Sequence, residues 1–260
     1  PLHNAQIVVY KVLDAEANPP ALFIVNHTKT DESGHYSLNV PPDDYHIRAN
    51  MEGYRFPDND PLTLVVETDV AVNRDFEMPQ SGFLEVTVID ETGPSPAKLQ
   101  LVGFDPSPPK TNVVATLIGG QEAGVFSDYK ADGLPFGIAQ VAFIDREGAS
   151  EQITMEPGEY QLVISRGPRY SVYKKNITIT AGKVTTVQTE IVKLIPDNGF
   201  VHGDYHVHSI DSPDSEVTRA ERVAVMLAEG IDFFTPSDHG VRSDFGPTLQ
   251  AMGVEDLIGV

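Results

Sequence analysis

The sequence contains no cysteine. Disulfide bonds and thiolate metal sites are therefore excluded, and any metal ion must be held by histidine, aspartate or glutamate. Basic residues are also scarce, since 18 lysines and arginines stand against 38 aspartates and glutamates, and the formal net charge is −20. A nucleic-acid partner requires a basic surface, so we expect none. No apolar run reaches about eighteen residues, so we expect no membrane span.

The two ends of the sequence indicate a fragment of a longer protein. The first residues, PLHNAQIVVY, lack the charged start and apolar centre of a signal peptide. The last residues, EDLIGV, stop inside an apolar run. The lack of cysteine fits an exported bacterial protein as well as a cytosolic one, and together with the sandwiches described below it favours a periplasmic or extracellular location.

The first 195 or so residues have the pattern of antiparallel β-sandwiches. In LEVTVID, Leu84, Val86 and Val88 alternate with polar residues, which is the period of a half-buried strand. The stretches YSLNV and YHIRA alternate in the same way, and clear helical periodicity is absent.

An internal repeat divides this β-region into two units. PPDDYHIRA around Tyr45 resembles EPGEYQLVI around Tyr160, at an offset of about 115 residues. We therefore predict one sandwich over residues 1–79 and a second over residues 80–196. A Gly- and Pro-rich stretch at 106–137 is predicted to form long loops in the second sandwich.

The first unit resembles the carboxypeptidase regulatory-like (transthyretin-like) sandwich. That family has a Gly-x-Tyr strand, a Pro-rich turn, a Tyr-led strand and a closing Gly-Tyr, which match Gly34, Tyr36, Pro41, Pro42, Tyr45, Gly53 and Tyr54. The resemblance implies that the family's first strand is missing before Pro1. It also implies an accessory module, for which the first expectation is a spacer without a ligand and the second a module that binds carbohydrate or a partner protein.

After Pro196 the pattern changes to strand, helix, strand. VTRAERVAVMLAEG has one apolar helical face. Thr218 and Glu221 are spaced as a capping box, and Gly230 is placed as a C-terminal stop. DYHVHS and IDFFTPSD flank the helix and are strand-like. Residues 197–260 are thus predicted to hold the first βαβ part of an α/β barrel or doubly wound sheet.

Five metal-competent side chains cluster around these two strands. Alternate residues of a strand point to one face, so His206 and His208 project side by side. Asp214 follows six residues later, and the second strand ends in Asp238 and His239. Oxygen and imidazole ligands without thiolate suit zinc, manganese or iron. The alternative is an exposed strand with two solvated histidines.

GDYHVHSIDSPDS, together with EGIDFFTPSDHG, resembles the start of a PHP domain (polymerase and histidinol phosphatase superfamily), in particular its carbaryl-hydrolase-like branch. The resemblance implies a distorted (βα)7 barrel with two or three metal ions at the rim of its strands. It implies His206, His208, Asp214 and His239 as metal ligands and Asp238 as a further contributor. The family's remaining ligands would lie beyond Val260.

This resemblance implies a metal-dependent hydrolase. A metal-bound water would attack an ester, carbamate or phosphoester substrate, with Asp238 and Arg242 as catalytic candidates and Arg242 facing an anionic group or forming a surface ion pair. The fragment alone is expected to be inactive. The competing interpretation is a non-catalytic β-sandwich surface module that binds carbohydrate or protein and carries a degenerate PHP segment.

Overall fold

The computed structural model describes residues 1–14, 21–51, 53–54, 62–103 and 138–260. The predicted loops at 106–137 lie outside these residues. The described strands are, in chain order, β1 (Gln6–Asp14), β2 (Ala21–Lys29), β3 (Asp43–Asn50), β4 (Leu62–Val66), β5 (Gly82–Asp90), β6 (Gly93–Pro94), β7 (Ala97–Gly103), β8 (Ile138–Ile144), β9 (Ile153–Met155), β10 (Gly158–Ser165), β11 (Tyr173–Ile179), β12 (Val184–Glu190), β13 (Gly203–Val207) and β14 (Phe233–Pro236). The described helices are α1 (Arg219–Ala228) and α2 (Gly246–Met252).

The first unit is a four-stranded antiparallel sheet in the order β2-β1-β3-β4. Its core forms on one face, where Val9, Ile47 and Leu64 are buried. The predicted strand YSLNV is not part of a ladder. It lies over this face as an extended segment in which Tyr36 and Val40 are half-buried against the core.

The second unit consists of two packed sheets. One has the order β11-β10-β7-β8, and the other has the order β12-β5-β6 with β9 also paired to β5. The alternation predicted in LEVTVID is confirmed, because Leu84, Val86 and Val88 are buried in the core between the sheets. Contrary to the antiparallel prediction, β12 pairs with β5 in parallel.

The last unit contains one strand–helix–strand unit. β13 and β14 pair in parallel, and α1 connects them. The capping box at α1 is confirmed: the Thr218 side chain accepts from the Glu221 amide, and the Glu221 carboxylate accepts from the Thr218 amide. Gly230 follows the helix with a φ of 68°, the left-handed conformation that ends helices.

The predicted fold class, which ended in the first part of a PHP-type (βα)7 barrel, is wrong. The regular secondary structure of the described residues is mostly β-strand, in several mainly antiparallel sheets, with two short helices of 10 and 7 residues. The parallel sheet of the last unit consists of β13 and β14, and one isolated bridge between Phe233 and Gly259 extends it. The sequence pattern specifies one βαβ connection, and one such connection does not specify a barrel.

Arg169 joins the second unit to the last one. Its side chain is only 4% exposed, and its guanidinium donates to the Gly230 carbonyl at 2.6 Å and to the Asp232 carboxylate at 2.7 Å. It also pairs with Asp197. Asp232 in turn accepts from the His202 amide at 2.8 Å. These contacts fix the starts of β13 and β14, and so help to position the side chains at the strand ends.

Neither described helix is long and apolar enough to cross a bilayer.

Candidate metal centre

His208, Asp214 and His239 meet where β13 and β14 end. One potential ligand atom from each lies within 4.8 Å of the others. His208 Nδ1 is 3.0 Å from both carboxylate oxygens of Asp214, and His239 Nε2 is 3.3 Å from Asp214 Oδ2. The side chain of His208 is 19% exposed, whereas those of Asp214 and His239 are 50% and 63% exposed. The cluster is therefore open to solvent on one side.

His206 extends this cluster on the other side of the His208 ring. The Nε2 atoms of His206 and His208 are 3.0 Å apart, so the two imidazoles project side by side as the strand period predicts. Asp204 does not join them. Its Oδ1 accepts from the His206 backbone amide at 3.1 Å and helps to hold the end of the strand.

The turn after β13 places Asp214 opposite His208. Ser212 is buried. Its hydroxyl donates to Asp214 Oδ1 at 2.6 Å and accepts from the His239 amide at 3.1 Å, so one serine ties both loops together. The Ser212 hydroxyl and the His208 imidazole lower the pKa of the Asp214 carboxyl to about 2. The carboxylate is therefore fully charged at neutral pH.

Asp238 lies behind the cluster and holds the two loops in place. It is buried, and its carboxylate accepts from the Ser209 amide at 2.6 Å, from the Ser209 hydroxyl at 3.0 Å and from the Ser243 hydroxyl. Burial alone would raise the pKa of Asp238, but the bonds from Ser209 and Ser243 outweigh it and lower that pKa. Geometry makes Asp238 a positioning residue for the loops around His208 and His239.

The predicted catalytic residue Arg242 lies apart from these contacts. It is exposed, and it forms no ion pair with any residue that the structure describes.

Sequence reasoning missed Arg219 and Arg222. The Arg219 Nε donates to Asp211 at 2.6 Å, and the Arg222 Nε donates to the His208 carbonyl at 3.0 Å. Their only signal in the sequence is their position in the first turn of α1, facing the site.

The comparisons with known proteins give only low similarity. No family model matches the chain, and no curated protein matches it. Similar solved structures include the TIE protein of Bacillus anthracis (15% identity, 74% of this chain and 31% of that one, TM-score 0.30), the shaft pilin SpaA of Lactobacillus rhamnosus GG (11%, 75% and 90%, 0.35) and the minor pilin GBS52 of Streptococcus agalactiae (14%, 75% and 85%, 0.30). This chain thus spans about a third of the TIE protein. At these TM-scores the likeness carries no inference about function.

The assignment to the PHP superfamily and the predicted hydrolase function are wrong. The described residues contain one two-stranded sheet at β13 and β14 and lack the barrel that the assignment requires, and no model of that superfamily matches the chain. The prediction rested on the spacing of His206, His208 and His239. That spacing also fits other pairs of parallel strands that end in polar residues. The predicted ester, carbamate and phosphoester substrates depended on the hydrolase assignment and are wrong with it. Contact with carbohydrate through the sandwiches stays a prediction.

Proposed function

We propose that His208, Asp214 and His239, with His206 beside them as a supporting imidazole, bind a divalent transition-metal ion, and that this ion clamps the two loops that follow β13 and β14. The observation that carries the proposal is the convergence of His208, Asp214 and His239 to within 4.8 Å. These residues come from two separate loops, so a shared ion would cross-link them.

The donor set fits such an ion. In a tetrahedral zinc site with bonds of about 2.0 to 2.1 Å, neighbouring ligand atoms are about 3.3 Å apart. The distances from Asp214, 3.0 Å to His208 and 3.3 Å to His239, are near this value, and the ligand atoms of the two histidines lie within 4.8 Å of each other. Two or more imidazoles with a carboxylate suit zinc, manganese or iron, and zinc is the first ion to test.

The charge of the site supports the same proposal. Asp214 is ionised at neutral pH, because its pKa is lowered to about 2. Ser212 orients one of its oxygens, as the supporting hydrogen bonds around metal ligands usually do. A divalent cation held by neutral imidazoles and one carboxylate would keep a net charge of +1, in a chain whose formal net charge is −20. The ion itself would supply a further link between two loops that are already joined by the bonds from Ser209 to Asp238 and from the His239 amide to Ser212.

Equilibrium dialysis against zinc, followed by elemental analysis, tests this proposal. We expect one tightly held zinc per chain in the unaltered protein and its loss in His208→Ala and His239→Ala. The matched control is His27→Ala, because His27 is an exposed histidine on β2, outside the cluster. Zinc content that is equal in all four proteins would refute the proposed site.

Asp214→Asn tests whether the Asp214 carboxylate is a ligand of the ion. The amide keeps the shape of the side chain and removes its charge, so a ligand role predicts zinc affinity at least about tenfold lower, the scale seen when groups around a metal are altered. Asp44→Asn is the control, because Asp44 is an exposed aspartate at the start of β3. If the two variants bind zinc equally well, Asp214 is not part of the site.

A further inference from the structure

The first unit contains a cleft that includes none of the metal-centre residues. Its volume is about 290 Å³. Ile47 of β3 with Leu64 and Val66 of β4 forms the floor, and the segments 36–40 and 70–74 form the walls. The cleft is open to solvent above its apolar floor, so its volume alone does not identify a ligand, and the backbone of its walls supplies the argument.

The walls of the cleft are extended segments with unpaired backbone groups. Along 35–40 and 71–78, exposed and half-buried residues alternate, which is the period of a β-strand. Within the part of the chain that the structure describes, no backbone amide of 36–40 or 71–78 donates a hydrogen bond. The Asn39, Asn73 and Arg74 carbonyls accept only from side chains, those of Asn26, Arg74 and Tyr36 in that order. Both walls thus have the form of strands without the ladder.

We propose that this cleft binds an extended, cationic peptide segment of a partner protein by β-strand addition. A second backbone is the ligand that offers donors and acceptors at the spacing of the unpaired groups on each wall. Alternate apolar side chains of the peptide would enter the cleft above Ile47 and Leu64. The remaining side chains would point outward, past the rim.

The charge of the rim selects the cationic peptide. Glu67, Asp69, Asp75 and Glu77 are exposed around the second wall, and Arg74 is the one basic residue between 67 and 77. Lysine or arginine at the outward positions of the peptide would complement this charge. A second copy of this chain is the less suitable occupant, because each copy carries a net charge of −20.

Hydrogen exchange with a synthetic peptide tests the proposal on the full chain. The probe is a nine-residue peptide of alternating lysine and valine. We expect it to slow amide exchange in 36–40 and 71–74 and to leave exchange in β12 unchanged. The control is the same peptide with proline at every valine position. These prolines have no N–H group with which to form a ladder, so this peptide should give no protection. Equal protection by the proline peptide, or no protection by either, would overturn the proposal.

Two matched variants locate the binding surface. Val70 lines the cleft and is 51% exposed, whereas Val65 is 55% exposed and does not line it. Val70→Asn should weaken peptide binding about fivefold, as expected from about 1 kcal/mol of lost apolar contact, and Val65→Asn should not. If Val70→Asn and Val65→Asn weaken peptide binding equally, the peptide does not bind in the cleft. Protection of the same amides without peptide, rising with protein concentration, would show that a second copy fills the cleft and would also overturn it.

Discussion

Replacement of Arg169 by methionine tests how the last unit is held against the second one. The Arg169 guanidinium bonds to the Gly230 carbonyl, to Asp232 and to Asp197 from a side chain that is only 4% exposed. Methionine keeps an unbranched apolar stem of similar length and removes every one of these donors. The change therefore removes the polar contacts and retains much of the packing.

The expected cost follows from the environment of the partners. Removal of one partner from a fully buried ion pair costs about 3 to 5 kcal/mol. Asp232 and Asp197 are 34% and 45% exposed, so water replaces part of the lost interaction. The Gly230 carbonyl, in contrast, loses its donor at a buried position, which costs about 1 to 3 kcal/mol. We therefore expect a loss of about 2 to 3 kcal/mol for the opening of the last unit.

Native-state hydrogen exchange measures this loss where it occurs. Because about 1.4 kcal/mol corresponds to a factor of ten, amides of α1 should exchange about 30-fold faster or more in Arg169→Met. Amides of β1, in the first unit, should not change. Arg242→Met is the control, because Arg242 is an exposed arginine without an ion pair among the described residues. If α1 exchanges at the same rate in both variants, Arg169 does not hold the unit in place.

Two further predictions concern a close backbone approach and a buried carboxylate. Gly167 and Gly199 both have positive φ, but a Cβ at Gly167 would lie 2.0 Å from a carbonyl oxygen at the end of α1, whereas a Cβ at Gly199 would meet nothing within 4 Å. Gly167→Ala should therefore destabilise the protein by about 1 to 3 kcal/mol more than Gly199→Ala in urea unfolding, and equal midpoints would refute the close approach. Burial would raise the pKa of Asp90, but bonds from Thr92 and the charge of Arg166 outweigh it and lower that pKa. Ionised Asp90 thus stabilises the fold fully above the unfolded-state pKa near 3.8, and this contribution is lost as pH falls through the lower folded-state pKa. Asp90→Asn should flatten that part of a curve of unfolding free energy against pH. An unchanged slope would contradict this prediction.

The sequence predicted individual elements well where the pattern is local. The alternation of Leu84, Val86 and Val88 specifies a strand with one buried face, and the Thr218–Glu221 spacing specifies where α1 begins. The pairing of strands depends on distant parts of the chain, which alternation does not encode. For this reason the parallel pairing of β12 with β5 was missed. For the same reason YSLNV was taken for a strand although it lacks a ladder.

The candidate site shows the same division between local and global information. Residue spacing on two parallel strands was sufficient to predict that His206, His208 and His239 lie at one edge. It was not sufficient to predict what lies around them. The bonds from Ser209 and Ser243 to the predicted catalytic residue Asp238, for example, depend on how the two loops fold. The hydrolase assignment failed because a short motif describes one corner of a fold and contains no information about the number of strands beyond it.

X-ray absorption at the zinc edge tests the central claim most directly, since it reports the atoms bound to the ion. With one equivalent of zinc, the account predicts a first shell of nitrogen and oxygen at about 2.0 to 2.1 Å, together with the outer-shell scattering of at least two imidazole rings. His239→Ala should lose the contribution of one ring, and His27→Ala should lose none. A shell of oxygen atoms without imidazole scattering, or spectra that do not change in His239→Ala, would contradict the proposed metal centre.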